Sequence, residues 1–530
     1  MTKSLHLRTL SFSCIFFFLP ILILSQPLAP LLNHLERSDW INVKTDISPA
    51  AVGDGATDDT PALQAALNLM NINGNTPKII YLPPGNYRIT QTLNFPASVG
   101  ANLIGHGRTS IITWDGAANG TMLLSKGAAY GQFIGINWNG NNKNVTIISH
   151  NAPLVGGRFE ASVQHRFCTF RNANMAIQGG FGGNSVHAAS EMEIENCLFL
   201  NCTLGINFQY YNYYNEYIHH CEFWNCGTGI YSSLGNIYVE QCHFQQSTLA
   251  DIRVGDIHNS AVRRCSSYGS KQFLFRHNVG RVTLQDCNVS SWTDTDAAVY
   301  DFFYTGGLIF DCNFSNPPSL KAPFKTHGEQ TNLIYSENKS PQTTQVVNTV
   351  DFANWAVPIF TVIGPGQLTN SVTSAHQSFL QENIPVPTKI FDAVTQFGAI
   401  PNDNIDDTNA AQAAINAARN WGNGAIAYFP SGKYRISQTL QVYGSNYYVG
   451  GSGYHSEFQW IGANNSAVFR IENPWHIVME NLGVHAHLVP LTTTAFHQIS
   501  SNNAPSFIKY DNLFSPRNTP SLTVVDKKGL

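Results

Sequence analysis

The sequence predicts an all-β chain wound as a single-stranded parallel β-helix in two tandem modules, the second incomplete. Three observations predict it. Cys197, Cys221, Cys242, Cys265, Cys287 and Cys312 recur at gaps of 24, 21, 23, 22 and 25 residues. The residues after them repeat a frame, as in Cys197-Leu-Phe-Leu-Asn201, Cys221-Glu-Phe-Trp-Asn225 and Cys242-His-Phe-Gln-Gln246, with Cys168-Thr-Phe-Arg-Asn172 one longer step earlier. A block near the start also returns about 347 residues later, Tyr81 against Tyr428. A fixed period in the low twenties marks one supersecondary unit stacked on itself. Here that unit is one coil, with neighbouring coils about 4.8 Å apart.

Taken in order, residues 1–25 read as a secretory leader. Lys3 and Arg8 precede an apolar run from Ile15 to Leu24, too short to span a bilayer, with cleavage near Ser25. A retained anchor is the alternative; otherwise the chain is expected to be secreted and extracellular, with no membrane contact after cleavage. The first module covers residues 39–360, a connector 361–388, and the second module 389–530. Each module opens with an acidic pair before an Ala-rich helix, Asp58-Asp59-Thr60 and Asp406-Asp407-Thr408. That helix is expected to cap the first coil and cover its open sheet edge, with the carboxylates at its positive end. Ile79-Ile80-Tyr81-Leu82 then forms a first strand and Pro83-Pro84-Gly85 a turn.

Nine cysteines remain once Cys14 of the leader is set aside, an odd number. Stacked coils predict a column of buried thiols beside a column of phenylalanines (Phe170, Phe199, Phe223, Phe244, Phe314), with disulfides between rungs as the alternative. No CxxC pair occurs, and His219-His220 and His485-Ala-His487 are too sparse for a ligand set, so no metal is expected. Asn172, Asn201 and Asn225 mark the corners, where asparagine accepts left-handed backbone angles. Asn119, Asn144, Asn201, Asn288, Asn313, Asn338 and Asn464 begin glycosylation sequons; an inward-facing corner at Asn201 would bar a glycan there. Charged residues make up 12% and the net charge is −4, which argues against nucleic acid as a partner.

The opening Gly53-Asp-Gly-Ala-Thr-Asp-Asp-Thr60, followed by Tyr81-Leu-Pro-Pro-Gly-Asn-Tyr87 and repeated at Tyr428-Phe-Pro-Ser-Gly-Lys-Tyr434, resembles the pectate-lyase-like superfamily of right-handed β-helices. Rhamnogalacturonases, polysaccharide epimerases, polygalacturonases and phage tailspikes share that fold. The tandem arrangement also resembles the paired-β-helix exo-β-1,3-glucanases. The resemblance implies a polysaccharide substrate and glycosidic hydrolysis; the alternatives are a uronate lyase, the one reading in which Ca²⁺ is a cofactor, and a non-catalytic glycan-binding adhesin. Departures from the family are plain. Gly105-His106-Gly107 stands in the first coils, its second-module counterpart is Gly451-Ser452-Gly453, and no Arg-Ile-Lys occurs.

Alignment on cysteine yields the candidate site. Ile194, Ile218, Val239, Val262, Leu284 and Ile309, three residues before each cysteine, form an inward column. The positions on either side face out: Glu193, Tyr217 and Tyr238 in one column, Glu195, His219, Glu240 and Arg263 in the other. Glu195 and Glu240, two rungs or about 9–10 Å apart, approach the spacing of an inverting acid–base pair, about 6.5–9.5 Å. Glu193 is a further catalytic candidate, and His219, Arg263, Tyr217 and Tyr238 would hold sugar; a solvated charge ladder is the plain alternative. A second cluster joins Tyr213 and Tyr214 to the loop Gly179-Gly-Phe-Gly-Gly-Asn184, His187 and Glu191, where tyrosine rings stack on sugars or else pack on the wall. A third places Asp294, Asp296 and Asp301 as catalytic acids facing Asp251, Arg253 and Arg276 across adjacent coils.

Overall fold

A computed structural model describes residues 27–70, 79–125, 127–150, 160–179, 189–209, 213–255, 258–277, 280–301, 307–319, 323–326, 333–336, 347–348, 360–363, 386–485, 493–500, 507–515 and 522–526. The leader, most of the connector, the loop 180–188 with His187, and Tyr210 to Asn212 lie outside them. Two parallel β-solenoids make up the rest. One sheet system of 30 strands runs from Trp40 to Ile363, and one of nine runs from Lys389 to Asp526. Among the described residues no helix is long and apolar enough to cross a membrane.

Each coil of the ladder region contributes three short strands to three walls. The first wall stacks Gln164–Arg166, Glu193–Glu195, Glu216–His219, Ile237–Glu240 and Ser260–Arg263, every pair parallel. Its register carries Ile194 onto Ile218, Val239, Val262, Leu284 and Ile309, the inward column that the cysteine spacing predicts. The second wall stacks Phe170, Phe199, Phe223 and Phe244, with ring centroids 5.1, 4.5 and 4.8 Å apart. All nine described cysteines are free and buried. Eight of them donate back one coil; Cys221 Sγ, for one, donates to the Ile194 carbonyl at 3.3 Å.

The corners follow from backbone geometry. Asn172, Asn201 and Asn225 take φ of 57°, 54° and 52°, a region that asparagine enters at little cost. Their amides form a ladder: Asn201 donates to Asn172 at 3.1 Å and Asn225 to Asn201 at 3.4 Å. Asn201 is exposed, because the corner bends its side chain to the outside and leaves Cys202 buried in its place.

The paired aspartates fasten the module openings. Helix α1 (Thr60–Asn68) buries Ala62, Leu63, Ala66 and Leu67, and α2 (Thr408–Trp421) buries Ala411, Ala414, Ile415 and Ala418. Asp59 sits at the N-cap of α1 but makes no cap bond; its carboxylate accepts from the backbone N–H of Val52 and Gly53 at 2.7 and 3.0 Å. Asp407 does the same for Ile400 at 2.8 Å. Asp58 and Asp406 hold Thr60 and Thr408. The four carboxylates therefore fix the loop entering each helix.

The two solenoids present the same sheet to one another. On the first module the outward positions of the earliest coils are Trp40, Ile79, Tyr81, Ile104 and Ile134, which form a buried apolar cluster with Leu32. On the second, the register runs Ile426, Tyr448, Val478, Lys509 in one outward column and Tyr428, Gly450, Glu480, Asp511 in the next. Asp39 of the first module accepts from the Tyr428 hydroxyl at 2.6 Å and from the Ser431 N–H at 2.8 Å. Ser38 bonds Asp392, and Tyr130 stacks on Tyr454 with centroids 6.0 Å apart.

Candidate active site between the modules

Where the facing sheets diverge they leave a crevice of about 290 Å³. Apolar and aromatic groups form its walls, among them Trp40, Ile104, Phe167, Tyr428 and Tyr448; Arg37, Arg166, Glu195, Glu480, Lys509 and Asp511 supply the charge. A mostly apolar concavity with a few convergent polar groups is the usual form of a small-ligand site. Arg37 lies with its guanidinium 4.9 Å from the centre of the Tyr428 ring and 5.5 Å from that of Trp40.

Arg166 organises the charges. Its Nε donates to Glu195 Oε2 at 2.8 Å and its Nη2 to Asp511 Oδ2 at 2.8 Å, one carboxylate from each module. Lys509 Nζ adds a contact to Asp511 at 3.1 Å. Burial works against ionisation of Asp511, but Arg166 and Lys509 more than reverse it and hold the carboxyl below its usual range. Glu480, one rung away in register, goes the other way: burial, then the Asp511 charge, push its carboxyl up. Two neighbouring carboxyls thus differ in proton affinity, the arrangement that separates an acid from a base.

The expected ladder leaves the mouth of this crevice. The register carries Arg166 onto Glu195, His219, Glu240 and Arg263, and Gln164 onto Glu193, Tyr217, Tyr238 and Ala261. Glu193 Oε1 faces His219 Nε2 at 2.9 Å; burial opposes its charge, but His219 outweighs it and lowers its pKa. Tyr217 stacks on His219 with centroids 4.3 Å apart and donates its hydroxyl to Glu240 at 2.8 Å. Tyr238 is 39% exposed and Tyr217 36%, so both offer ring area to solvent. With Glu240, Ala261 and Arg263 they line a shallow groove of about 330 Å³.

Other candidates fall elsewhere. Tyr213 is buried, stacked on Phe208, and its hydroxyl donates to the His150 carbonyl at 3.0 Å; it packs the core and offers no platform. Tyr214 pairs edge-on with His258. Arg253 lies on the third wall between Tyr231 and Phe275, 5.0 and 5.4 Å from their centres. Arg276 and Asp251 are buried, so neither faces the aspartates at the surface. Asp294 accepts from Gln272 at 3.1 Å and Asp296 pairs with Lys325 at 3.0 Å. Asp301 is in register with Arg276, and its side chain lies outside the described residues. Among the described side chains, Asp294 and Asp296 meet Gln272 and Lys325, while Asp251 and Arg253 have other partners.

Sequence reasoning missed Arg166, Glu480 and Asp511. The duplication held a usable signal: Tyr81 and Tyr428 are equivalent, and both are held by the residue between two glycines. Tyr81 reaches His106 and Tyr428 reaches Ser452, each at 2.6 Å. His106 is therefore a positioning group for Tyr81. Gly107, at φ 66°, lets the Pro30 carbonyl into space that a Cβ would fill.

A family model described as rhamnogalacturonase A/epimerase, pectate lyase-like, matches residues 40–154 and 391–473. Comparison with curated proteins found no match. Among solved structures, ORF18 of Geobacillus virus E2 aligns at 15% identity and TM-score 0.39, covering 62% of this chain and 62% of that one. The mannuronan C-5 epimerase AlgE4 A-module of Azotobacter vinelandii aligns at 15% identity and TM-score 0.35, covering 61% of this chain and 98% of the module. The catalytic unit of a GH87 α-1,3-glucanase from Streptomyces thermodiastaticus aligns at 10% identity and TM-score 0.33, covering 94% of this chain and 71% of that one. The family match thus falls on both repeated openings, residues 40–154 and 391–473, and the coil register around them is that of a parallel β-helix of pectate-lyase-like form.

Proposed function

We propose that this protein is an extracellular carbohydrate-active enzyme that hydrolyses glycosidic bonds of a polysaccharide at the crevice between its modules. The observation that carries this reading is the pair Glu480 and Asp511, adjacent in register and opposite in the direction of their pKa shifts. Adjacent rungs are about 4.8 Å apart, close to the carboxyl spacing of about 5–5.5 Å in retaining glycosidases. Glu480 would protonate the leaving oxygen while Asp511 acts on the anomeric carbon. Tyr217, Tyr238 and Arg263 would grip the chain as it leaves the crevice. A second reading uses Glu195 and Glu240, which flank His219 in register on the open ladder. Their spacing of about 9–10 Å suits inversion through an intervening water.

The test is incubation with a panel of neutral and uronate polysaccharides. New reducing ends without ultraviolet absorbance support hydrolysis. Unsaturated products absorbing in the ultraviolet assign the site to a lyase, and binding without product assigns it to a glycan-binding protein. Glu480→Gln and Asp511→Asn against Glu195→Gln and Glu240→Gln separate the two pairs; activity surviving all four removes both.

A further inference from the structure

We propose that Glu195, His219 and His220, at the rim of the crevice, form a binding site for a divalent transition-metal ion of the zinc class. One donor atom from each of the three lies within 4.8 Å of the other two. His219 Nδ1 and His220 Nδ1 face one another at 2.9 Å. Sequence spacing alone cannot bring in the third donor, because Glu195 comes from the preceding coil, where it is the register partner of His219.

The surroundings orient each donor. His219 Nε2 meets Glu193 Oε1 at 2.9 Å, so that nitrogen carries the proton and the Nδ1 lone pair is turned toward His220. The His220 ring has its own side-chain hydrogen bond with Gln241. Metal-bound imidazoles usually donate their second N–H to a carboxylate or carbonyl oxygen, which fixes tautomer and ring direction. The backbone helps as well. His220 occupies a corner at φ 53°, on a column with Asn196 and Gln241 at 51° each, and this bend swings the second imidazole beside the first.

Glu195 already accepts from Arg166 at 2.8 Å and from Asn196 at 3.2 Å. A carboxylate offers about four lone-pair directions, so these two bonds leave room for a metal, and Asp511 shares the Arg166 charge. Two imidazoles and one carboxylate match the donor set of open zinc sites, which keep a position for water or a substrate oxygen. Calcium and magnesium prefer oxygen throughout.

Binding is read directly, apart from any cleavage reaction. The full chain, stripped with chelator, is titrated with Zn²⁺ by calorimetry and with Co²⁺ by visible absorption. One ion per chain is expected. His220→Asn should weaken binding at least about 100-fold, and Glu193→Gln by about 10-fold through loss of the supporting bond. Asparagine already occupies the equivalent corner at Asn196, so the variant keeps the fold, which circular dichroism checks. Absence of saturable binding, or binding unchanged in His220→Asn, overturns the proposal.

Discussion

Arg166 and Asp511 are 345 residues apart in the chain, yet their side chains meet at 2.8 Å across the gap between two solenoids. The same guanidinium holds Glu195 of its own module at 2.8 Å. This one side chain therefore joins the modules and sets the charge of the crevice.

Replacing Arg166 with Met should destabilise the protein by about 3 kcal/mol, because two carboxylates would remain partly buried without their counter-ion. Urea unfolding measures the loss. A change under about 0.5 kcal/mol would mean that the bridge behaves like an ordinary surface pair.

Glu480 must be protonated and Asp511 ionised for the proposed chemistry. Activity should rise as pH climbs through the lowered Asp511 pKa and fall as pH passes the raised Glu480 pKa. Glu480→Gln should cost on the order of 10²-fold or more in turnover and abolish the alkaline limb. A profile whose alkaline limb persists in that variant assigns the acid elsewhere.

Asp251 is buried beside Ser267, and burial pushes its carboxyl up to about 7. The unfolded value is about 3.9. Between the two the folded chain holds a proton that the unfolded chain has released. Stability from this group is complete below about pH 4 and declines by about 1.4 kcal/mol per pH unit toward pH 7. Asp251→Asn should flatten that slope. Melting temperatures of both proteins from pH 4.5 to 8 give the comparison; parallel curves would mean that Asp251 is ionised in the fold.

The nine buried thiols should resist an aromatic disulfide reagent in the native protein and react together once it unfolds. Phe223, stacked between Phe199 and Phe244 at 4.5 and 4.8 Å, should cost about 3–5 kcal/mol on replacement by alanine. Thiols that stay silent after denaturation would show that rungs are bridged. A Phe223→Ala loss under about 1 kcal/mol would show that the column is loosely packed.

Much of the first module is legible in the order of its residues. Side chains alternate across a strand and coils repeat near every 23 residues, so Ile194 above Ile218, or Glu195 above His219, follows from counting. Counting fails at corners, where alternation breaks. Tyr213 is buried where a sugar platform was expected, and the Asn201 corner leaves its side chain exposed. Asp251 reads as a surface acid by composition, yet it is enclosed among serines.

The sequence by itself determined the coil, its register and the polar ladder, because a periodic pattern encodes contacts between neighbours one lap apart. The tertiary structure decided which faces of the two modules meet. Trp40, Ile79, Ile104 and Ile134 are outward residues that resemble core; they cluster with Leu32 and line the crevice opposite Ile426 and Tyr448 of the second solenoid. Burial and the Asp511 charge raise the Glu480 carboxyl, while the first module's Arg166, with Lys509, outweighs burial and lowers that of Asp511. Docking of one surface on another leaves no period to read, so the crevice and its charges emerge only in three dimensions.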